Sequence, residues 1–213
     1  MAEKARGRSS ATVIVPDWTR AIPLPEILPA VLDRVRRGGV EPAATTILIA
    51  CGTHPMHDPS TLVSVVGDLP QQVTVVQHDS RDENRLVTVG ELRPGIDLRL
   101  AREAVDCDLL ITIGGVRHHY FAGFGGGPKM VFPGVGGYSE IQANHSLVLH
   151  RSGGELERDS RCEPGLLDGN PVAEEIARAA QIRQPDLAEC TVAGREGGVA
   201  WVGAGPGRTA FEA

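Results

Sequence analysis

Short apolar runs rich in β-branched residues alternate with segments of helical periodicity along this 213-residue chain. Continuous apolar runs are typical of strands buried on both faces, so the alternation predicts an α/β domain with a mainly parallel sheet flanked by helices. Strands are predicted at residues 11–15, 45–50, 73–77, 86–92 and 107–113, with one or two more between 189 and 202. Helices are predicted at 25–37, 59–66, 98–105, 138–149 and 172–180, a flexible polar leader at 1–10 and a long loop at 151–170.

Polar side chains follow four of these strands directly. They occupy residues 17–20, 52–54, 78–79 and 114–119. Because ligands of open parallel sheets bind beyond the carboxyl ends of the strands, we expect these four loops to meet in one site.

Composition excludes several classes of protein. Aromatic residues make up only 4% of the chain and the net charge is −6, which argues against a stacking or phosphate-binding surface for nucleic acid. The sequence contains no run of 18 apolar residues, no apolar signal-peptide core at its start and no CxxC pair among its four cysteines. These features predict a soluble, reduced, cytoplasmic protein with small-molecule ligands and neither nucleic-acid nor membrane partners.

Residues 114–137 are unusually rich in glycine, with nine glycines among 24 residues. Glycine lets the backbone approach a ligand closely, and free N–H groups before a helix can hold an anion. This predicts a cofactor cradle that includes Gly125, Gly126 and Gly127. The spacing differs from that of P-loop NTPases, because the lysine of this segment lies between proline and methionine. A flexible structural loop is the alternative.

Lysine is nearly absent from the chain. Among its 21 basic residues, only Lys4 and Lys129 are lysine. A lysine amine can lose its proton and form a covalent bond, which arginine does not do readily. A nucleophilic or covalent role is therefore predicted for Lys129, and a phosphate counter-ion is the alternative.

Two of the seven histidines, His54 and His119, follow neighbouring predicted strands. A two-base racemase needs one acid or base on each face of the substrate carbon, and this pair could supply both. For any single histidine a satisfied structural position is the alternative, and His57, His78 and His150 are assigned to it.

Asp17 and Arg20 follow the first strand. Arg20 could hold a carboxylate or phosphate through two hydrogen bonds, and Asp17 could orient a histidine or an arginine. An Asp17–Arg20 bridge that merely closes the loop is the alternative.

Together these motifs resemble the nickel-dependent lactate racemase family. The matching segments are DWTR at 17–20, GTH at 52–54, HYFAGFGGGPK at 119–129, PG at 133–134, NH at 144–145 and GNP at 169–171. The spacings of ten and sixteen residues between His119, Lys129 and His145 are the specific part. The resemblance implies that residues 11–213 form a Rossmann-like N-terminal lobe.

The resemblance further implies a nickel-pincer nucleotide, pyridinium-3,5-bisthiocarboxylic acid mononucleotide nickel. Lys129 would form a thioamide bond to it and His145 would ligate nickel, with cofactor carbon and sulfur as the remaining soft ligands. His54 and His119 would be the acid/base pair of a racemase or epimerase that moves the Cα hydride of a 2-hydroxy acid. Asp17 and Arg20 would line the site.

The resemblance also implies a partner for this lobe. Family members carry a second lobe that holds the substrate carboxylate and covers the site, so a missing second lobe or a partner chain is expected. A lobe that binds nucleotide or metal without chemistry of its own is the second hypothesis. A hydrolase with an ordinary divalent ion is the third, and the sequence lacks a histidine–carboxylate cluster at short ligand spacing for it.

Overall fold

The computed structural model describes residues 1–20, 22–194 and 198–205. Within them the strands are β1 (Ala11–Pro16), β2 (Thr45–Ala50), β3 (Thr74–Gln77), β4 (Leu86–Arg93), β5 (Ile96–Ala101), β6 (Leu109–Gly115), β7 (Arg117–His119), β8 (Gly123–Gly125), β9 (Leu149–Ser152), β10 (Glu155–Arg158), β11 (Leu187–Ala193) and β12 (Val199–Gly205). The α-helices are α1 (Ala2–Ala5), α2 (Leu24–Arg37), α3 (Leu62–Val66), α4 (Arg102–Val105), α5 (Tyr138–His145) and α6 (Pro171–Ile182). Short 3₁₀ segments lie at Pro42–Ala44, Pro59–Thr61, Glu83–Arg85, Gly127–Met130 and Ser146–Val148.

The main sheet contains six strands in the order β12-β11-β6-β1-β2-β3. Its neighbours pair in parallel except β12, which runs antiparallel to β11. The predicted α/β architecture with a mainly parallel sheet is confirmed. The chain extends from β1 to β2 and β3 on one side and later to β6 and β11 on the other. The strand order therefore reverses between β1 and β6, which is where open α/β sheets bind their ligands.

The two faces of the sheet form separate apolar layers. Alternate residues of β1 point to opposite faces, so Val13 and Val15 pack with Leu28 of α2, whereas Ile14 packs with Ile176 of α6. All of these side chains are at most 3% exposed. Helices on both faces explain why the strands are continuous apolar runs.

The first residues of the chain, predicted to be a flexible leader at 1–10, are partly folded. Residues 2–5 form α1, and Ala5 is completely buried in the layer that contains α2. A Cβ added at Gly38, the residue that ends α2, would lie 2.3 Å from the Cβ of Ala5. Because Gly38 has no side chain, α1 can pack against the end of α2. Residues 2–5 are therefore part of the folded domain and not a flexible leader.

Two local predictions are wrong. Residues 98–105 are not one helix: Leu98 and Leu100 are buried and alternate with more exposed neighbours, so the segment pairs with β4 as strand β5 before the single turn of α4. The predicted loop at 151–170 contains much of the hairpin β9–β10, whose two turn glycines, Gly153 and Gly154, have positive φ. The helix predicted at 138–149 is α-helical to His145 and continues as the 3₁₀ segment Ser146–Val148. No helix in the described ranges is long and apolar enough to cross a membrane.

Candidate functional site

A cleft of about 620 Å³ opens at the carboxyl ends of β1, β2 and β6, where the strand order reverses. The loops after these three strands line it, together with the glycine-rich segment and the end of α5. Its cations are Arg20, Arg117 and Lys129, and no carboxylate is among the described residues that line it. Such a cleft attracts anionic ligands although the chain as a whole is acidic.

His54 and Asp17 form a hydrogen-bonded pair at one side of the cleft. Nδ1 of His54 lies 2.5 Å from Oδ2 of Asp17, whose side chain is only 2% exposed. The other oxygen, Oδ1, accepts a hydrogen bond from the hydroxyl of Thr19 at 2.6 Å. A carboxylate only accepts hydrogen bonds, so it favours the tautomer of His54 with the proton on Nδ1. That tautomer leaves Nε2 free to accept a proton.

In His119 the donor and acceptor nitrogens are exchanged relative to His54. Its Nδ1 accepts hydrogen bonds from the backbone N–H of Ala122 at 3.2 Å and, at 3.5 Å, of Phe121. In the neutral ring the proton is therefore on Nε2. Burial lowers the pKa of His119 to about 3, with further lowering by nearby cations, first Lys129 and then Arg20. His119 is consequently a neutral hydrogen-bond donor at neutral pH.

Lys129 lies in the 3₁₀ segment after the glycines, with its amine 5.8 Å from the centre of the Phe121 ring. Burial lowers its pKa to about 7, and the positive charge of Arg20 adds to the effect. Among the described residues no carboxylate forms an ion pair with this amine. A substantial fraction of Lys129 is thus neutral, and nucleophilic, at neutral pH.

His145 is the last residue of α5 and faces the same cleft. Burial lowers its pKa to about 4, and the charge of Lys129 contributes. A neutral imidazole offers a lone pair to a metal ion. The Phe121 ring packs edge-on against His145 and His119, with centroid distances of 5.2 and 4.7 Å. Phe121 therefore separates and orients groups from two different elements.

The glycines of the predicted cradle have different surroundings. Gly125 and Gly126 line the cleft, whereas Gly127 is buried and is not part of its lining. Gly126 has a φ of +76°, and a Cβ there would lie 2.7 Å from the carbonyl oxygen of Gly115. Gly126 is thus required for the close packing of the loop on the end of β6, independently of any ligand.

The loop after β3 does not reach the cleft. His78 is buried and its Nε2 lies 2.8 Å from the carbonyl oxygen of Gly136, so it has a structural role. His57 and His150 also lie outside the cleft lining. Three of the four predicted loops meet in one site, and the fourth does not.

Sequence reasoning missed two residues of the site, Phe121 and Arg117. Both belong to the glycine-rich segment, and Arg117 donates a hydrogen bond to the carbonyl of Thr19 at 3.3 Å. Their positions two residues after and two residues before His119 were the available signal, but nothing local distinguishes a ring or cation that faces a cleft from one that faces the core.

Fold and cleft define an α/β lobe with a cationic cleft at the reversal point of its sheet, and histidines, a lysine and arginines face that cleft. A model of the lactate racemase N-terminal domain matches residues 1–156. This is more than half of the chain, which therefore belongs to the lactate racemase N-terminal domain family.

Two curated relatives are similar to this chain. A lactate racemase from Lactiplantibacillus plantarum is 36% identical over 180 residues, which cover 84% of this chain and 41% of the relative. A lactate racemase from Thermoanaerobacterium thermosaccharolyticum is 33% identical over 178 residues, which cover 83% of this chain and 40% of the relative. The matched part of the chain thus spans about 40% of the length of these relatives.

Solved structures resemble the lobe as a whole. The lactate racemase apoprotein from T. thermosaccharolyticum superimposes with a TM-score of 0.88 at 28% identity, over 99% of this chain and 49% of that one. A protein from Thermotoga maritima superimposes with a TM-score of 0.71 at 19% identity, over 96% of this chain and 52% of that one, which shows a shared fold.

Proposed function

We propose that this lobe holds a nickel-pincer nucleotide on Lys129 and supplies His54 and His119 for racemising or epimerising a 2-hydroxy acid. The observation that carries the proposal is the state of Lys129. Its amine has a pKa of about 7, has no carboxylate partner among the described residues and lines a cationic cleft with His145. An amine that loses its proton near neutral pH can act as the nucleophile that thioamide formation requires.

The residues of the cleft fit such a cofactor better than an ordinary metal ion. No group of three or more His, Cys, Asp or Glu side chains that could hold a metal is found in the described parts of the chain. A pincer nucleotide brings most of its own metal ligands, so His145 suffices as the protein ligand. When bound, the group would supply hydride-acceptor chemistry for the Cα–H bond of a 2-hydroxy acid.

The two histidines support different starting roles in proton transfer. The neutral tautomer of His54 that Asp17 favours has an unprotonated Nε2, so it is suited to accept the hydroxyl proton of a substrate. In the neutral ring of His119, Nδ1 accepts from the backbone, so the protonated Nε2 can donate a hydrogen bond to a ligand. An anionic ligand would offset the charges of Lys129 and Arg20, and would thus raise the pKa of His119 towards the range in which it exchanges protons.

The cations of the cleft support recognition of negative groups. Arg20 and Arg117 face the open space, and their guanidinium groups can bind a phosphate or carboxylate through paired hydrogen bonds. The backbone of Gly125 and Gly126 leaves room for a flat ligand beside Lys129. Gly127, which lies behind the cleft, would act through the backbone conformation of the loop.

Substrate choice and turnover belong to a larger assembly in this proposal. The relatives are more than twice as long as the matched region. A second lobe or partner chain would hold the substrate carboxylate and cover the cleft. The lobe alone would then be a cofactor-holding module, which is the second candidate function.

Co-expression with the enzymes that make the cofactor, followed by intact-mass analysis, tests the proposal. Wild type should carry a covalent adduct on Lys129 and bind nickel, and Lys129→Arg should carry no adduct although its charge is retained. His145→Ala should keep the adduct but lose nickel. An adduct that persists in Lys129→Arg would refute attachment at this residue.

Racemisation measured with and without an added second lobe separates the two candidate functions. A loaded chain that is inactive alone and active with the added lobe is a cofactor-holding module. A loaded chain that racemises a 2-hydroxy acid by itself is a complete catalyst.

A further inference from the structure

Helix α5 is anchored mainly by polar contacts. Its buried residues are Glu140, Ile141 and Asn144, so a single apolar side chain faces the core. A helix of a globular protein is usually positioned by an apolar stripe, which α5 lacks. The position of His145, its last residue, therefore depends on the polar contacts of the helix in addition to its packing on Phe121.

An ion pair with a buried carboxylate contacts the end of α5 that carries His145. Arg93, at the end of β4, lies 2.5 Å from the carboxylate of Glu175 in α6, whose side chain is 4% exposed. Nη2 of Arg93 donates to the carbonyl of Ala143 at 2.9 Å, and the carboxylate of Glu175 accepts from the amide of Asn144 at 3.0 Å. The pair thus holds both residues that precede His145.

We propose that the Arg93–Glu175 pair is a positioning device that sets the imidazole of His145 in the cleft. The inference rests on the proposed function, in which His145 ligates nickel. Burying an ion pair contributes little to stability, because desolvation offsets the attraction and apolar residues of similar volume often do as well. Outer contacts that orient a ligating histidine, by contrast, strongly affect metal retention.

The other end of α5 offers a matched control. Arg99 of β5 pairs with Glu140, and the two ion pairs are almost equally exposed: 25% and 4% for Arg99 and Glu140, 26% and 4% for Arg93 and Glu175. Arg99 also pairs with Glu83, so Glu140→Gln leaves it a carboxylate partner, and the stability of each variant is measured separately. Only Glu175→Gln should disturb His145.

Two measurements on the full chain compare the variants. In the apo chain with ¹⁵N-labelled histidine, the ring signals of His145 should shift or broaden in Glu175→Gln and stay unchanged in Glu140→Gln. In the chain loaded by co-expression, nickel loss to EDTA should be roughly 10–100-fold faster in Glu175→Gln and unchanged in Glu140→Gln. Urea denaturation measures the loss of stability in each variant, so that an effect on His145 can be compared with it.

His145 signals and nickel retention that are unchanged in Glu175→Gln, or changed equally by both variants, would overturn the inference. If Glu175→Gln does not fold, the double variant Arg93→Met/Glu175→Leu replaces the pair with apolar side chains but still frees Ala143 and Asn144, and the same readouts apply. A wild-type chain that takes up neither adduct nor nickel refutes the proposed function instead. The comparison of apo spectra still decides the role of the pair in that case.

Discussion

Replacing Lys129 with methionine should raise the free energy of unfolding at pH 6, and the gain should shrink as the pH rises. Methionine has similar length and flexibility but carries no charge that burial would penalise. In the folded chain burial, with a contribution from Arg20, lowers the pKa of Lys129 from 10.5 to about 7. Protonating it there is thus less favourable than in the unfolded chain.

The pH window follows from these two pKa values. Below about pH 7 Lys129 is protonated in both states, so its destabilising effect is fully present. Between pH 7 and 10.5 the unfolded chain binds more protons, so the stability of wild type rises with pH and the effect disappears. One pKa unit corresponds to about 1.4 kcal/mol, which sets a ceiling of about 5 kcal/mol. Water entering through the open mouth of the cleft reduces this, and we expect at least about 2 kcal/mol.

Urea denaturation of wild type and Lys129→Met at pH 6, 8 and 10 measures the difference. Lys4→Met is the control, because it removes the other lysine of the chain from an exposed position. A Lys129→Met variant that is less stable than wild type at pH 6, or a gain that does not change with pH, would refute the reasoning. It would mean that Lys129 is not held in a destabilised charged state, and its reactivity at neutral pH would need another cause.

Two further predictions concern the hydrogen bond of His54 and the packing of the loop. Asp17→Asn should convert His54 from the Nδ1-protonated to the Nε2-protonated tautomer, because the amide can donate to Nδ1. The ¹⁵N chemical shifts of the ring report the tautomer, and an unchanged tautomer contradicts the role assigned to Asp17. Gly126→Ala should lower the free energy of unfolding by at least about 2 kcal/mol, because φ is +76° and the new Cβ meets the Gly115 backbone. Gly125→Ala, whose Cβ would meet nothing closer than 3.5 Å, is the control, and equal losses in urea denaturation would contradict the packing argument.

The sequence predicted the main sheet well because burial on both faces leaves a local signature. Residues 11–15 and 45–50 are continuous apolar runs, and they became the central strands β1 and β2. The same reasoning failed at residues 98–105, where apolar residues spaced by two and by four allow either a strand or a helix. Residues 96–101 form strand β5 because they pair with β4, and this pairing is a tertiary contact.

Strand order decided which loops form the site. The sequence indicated that polar residues follow four strands, but not that β6 returns beside β1 while β3 lies at the far edge. Since β3 is two strands away from the reversal point, His78 ends in the core and His54 and His119 face the cleft. Local patterns report whether a residue is buried, and they contain no information on which strands become neighbours.

The hydrogen-bond partner of Asp17 and the protonation of Lys129 were likewise determined by the tertiary structure. The sequence alone identified Lys129 as the single lysine beyond the first few residues and, through the resemblance, named the family to which the chain belongs. It left open whether Asp17 binds Arg20 or a histidine, and the structure pairs it with His54. The lowered pKa of Lys129 arises from burial and from Arg20, a residue more than a hundred positions away in the chain. Desolvation and charge–charge distances are properties of the assembled cleft, so only the folded arrangement determines them.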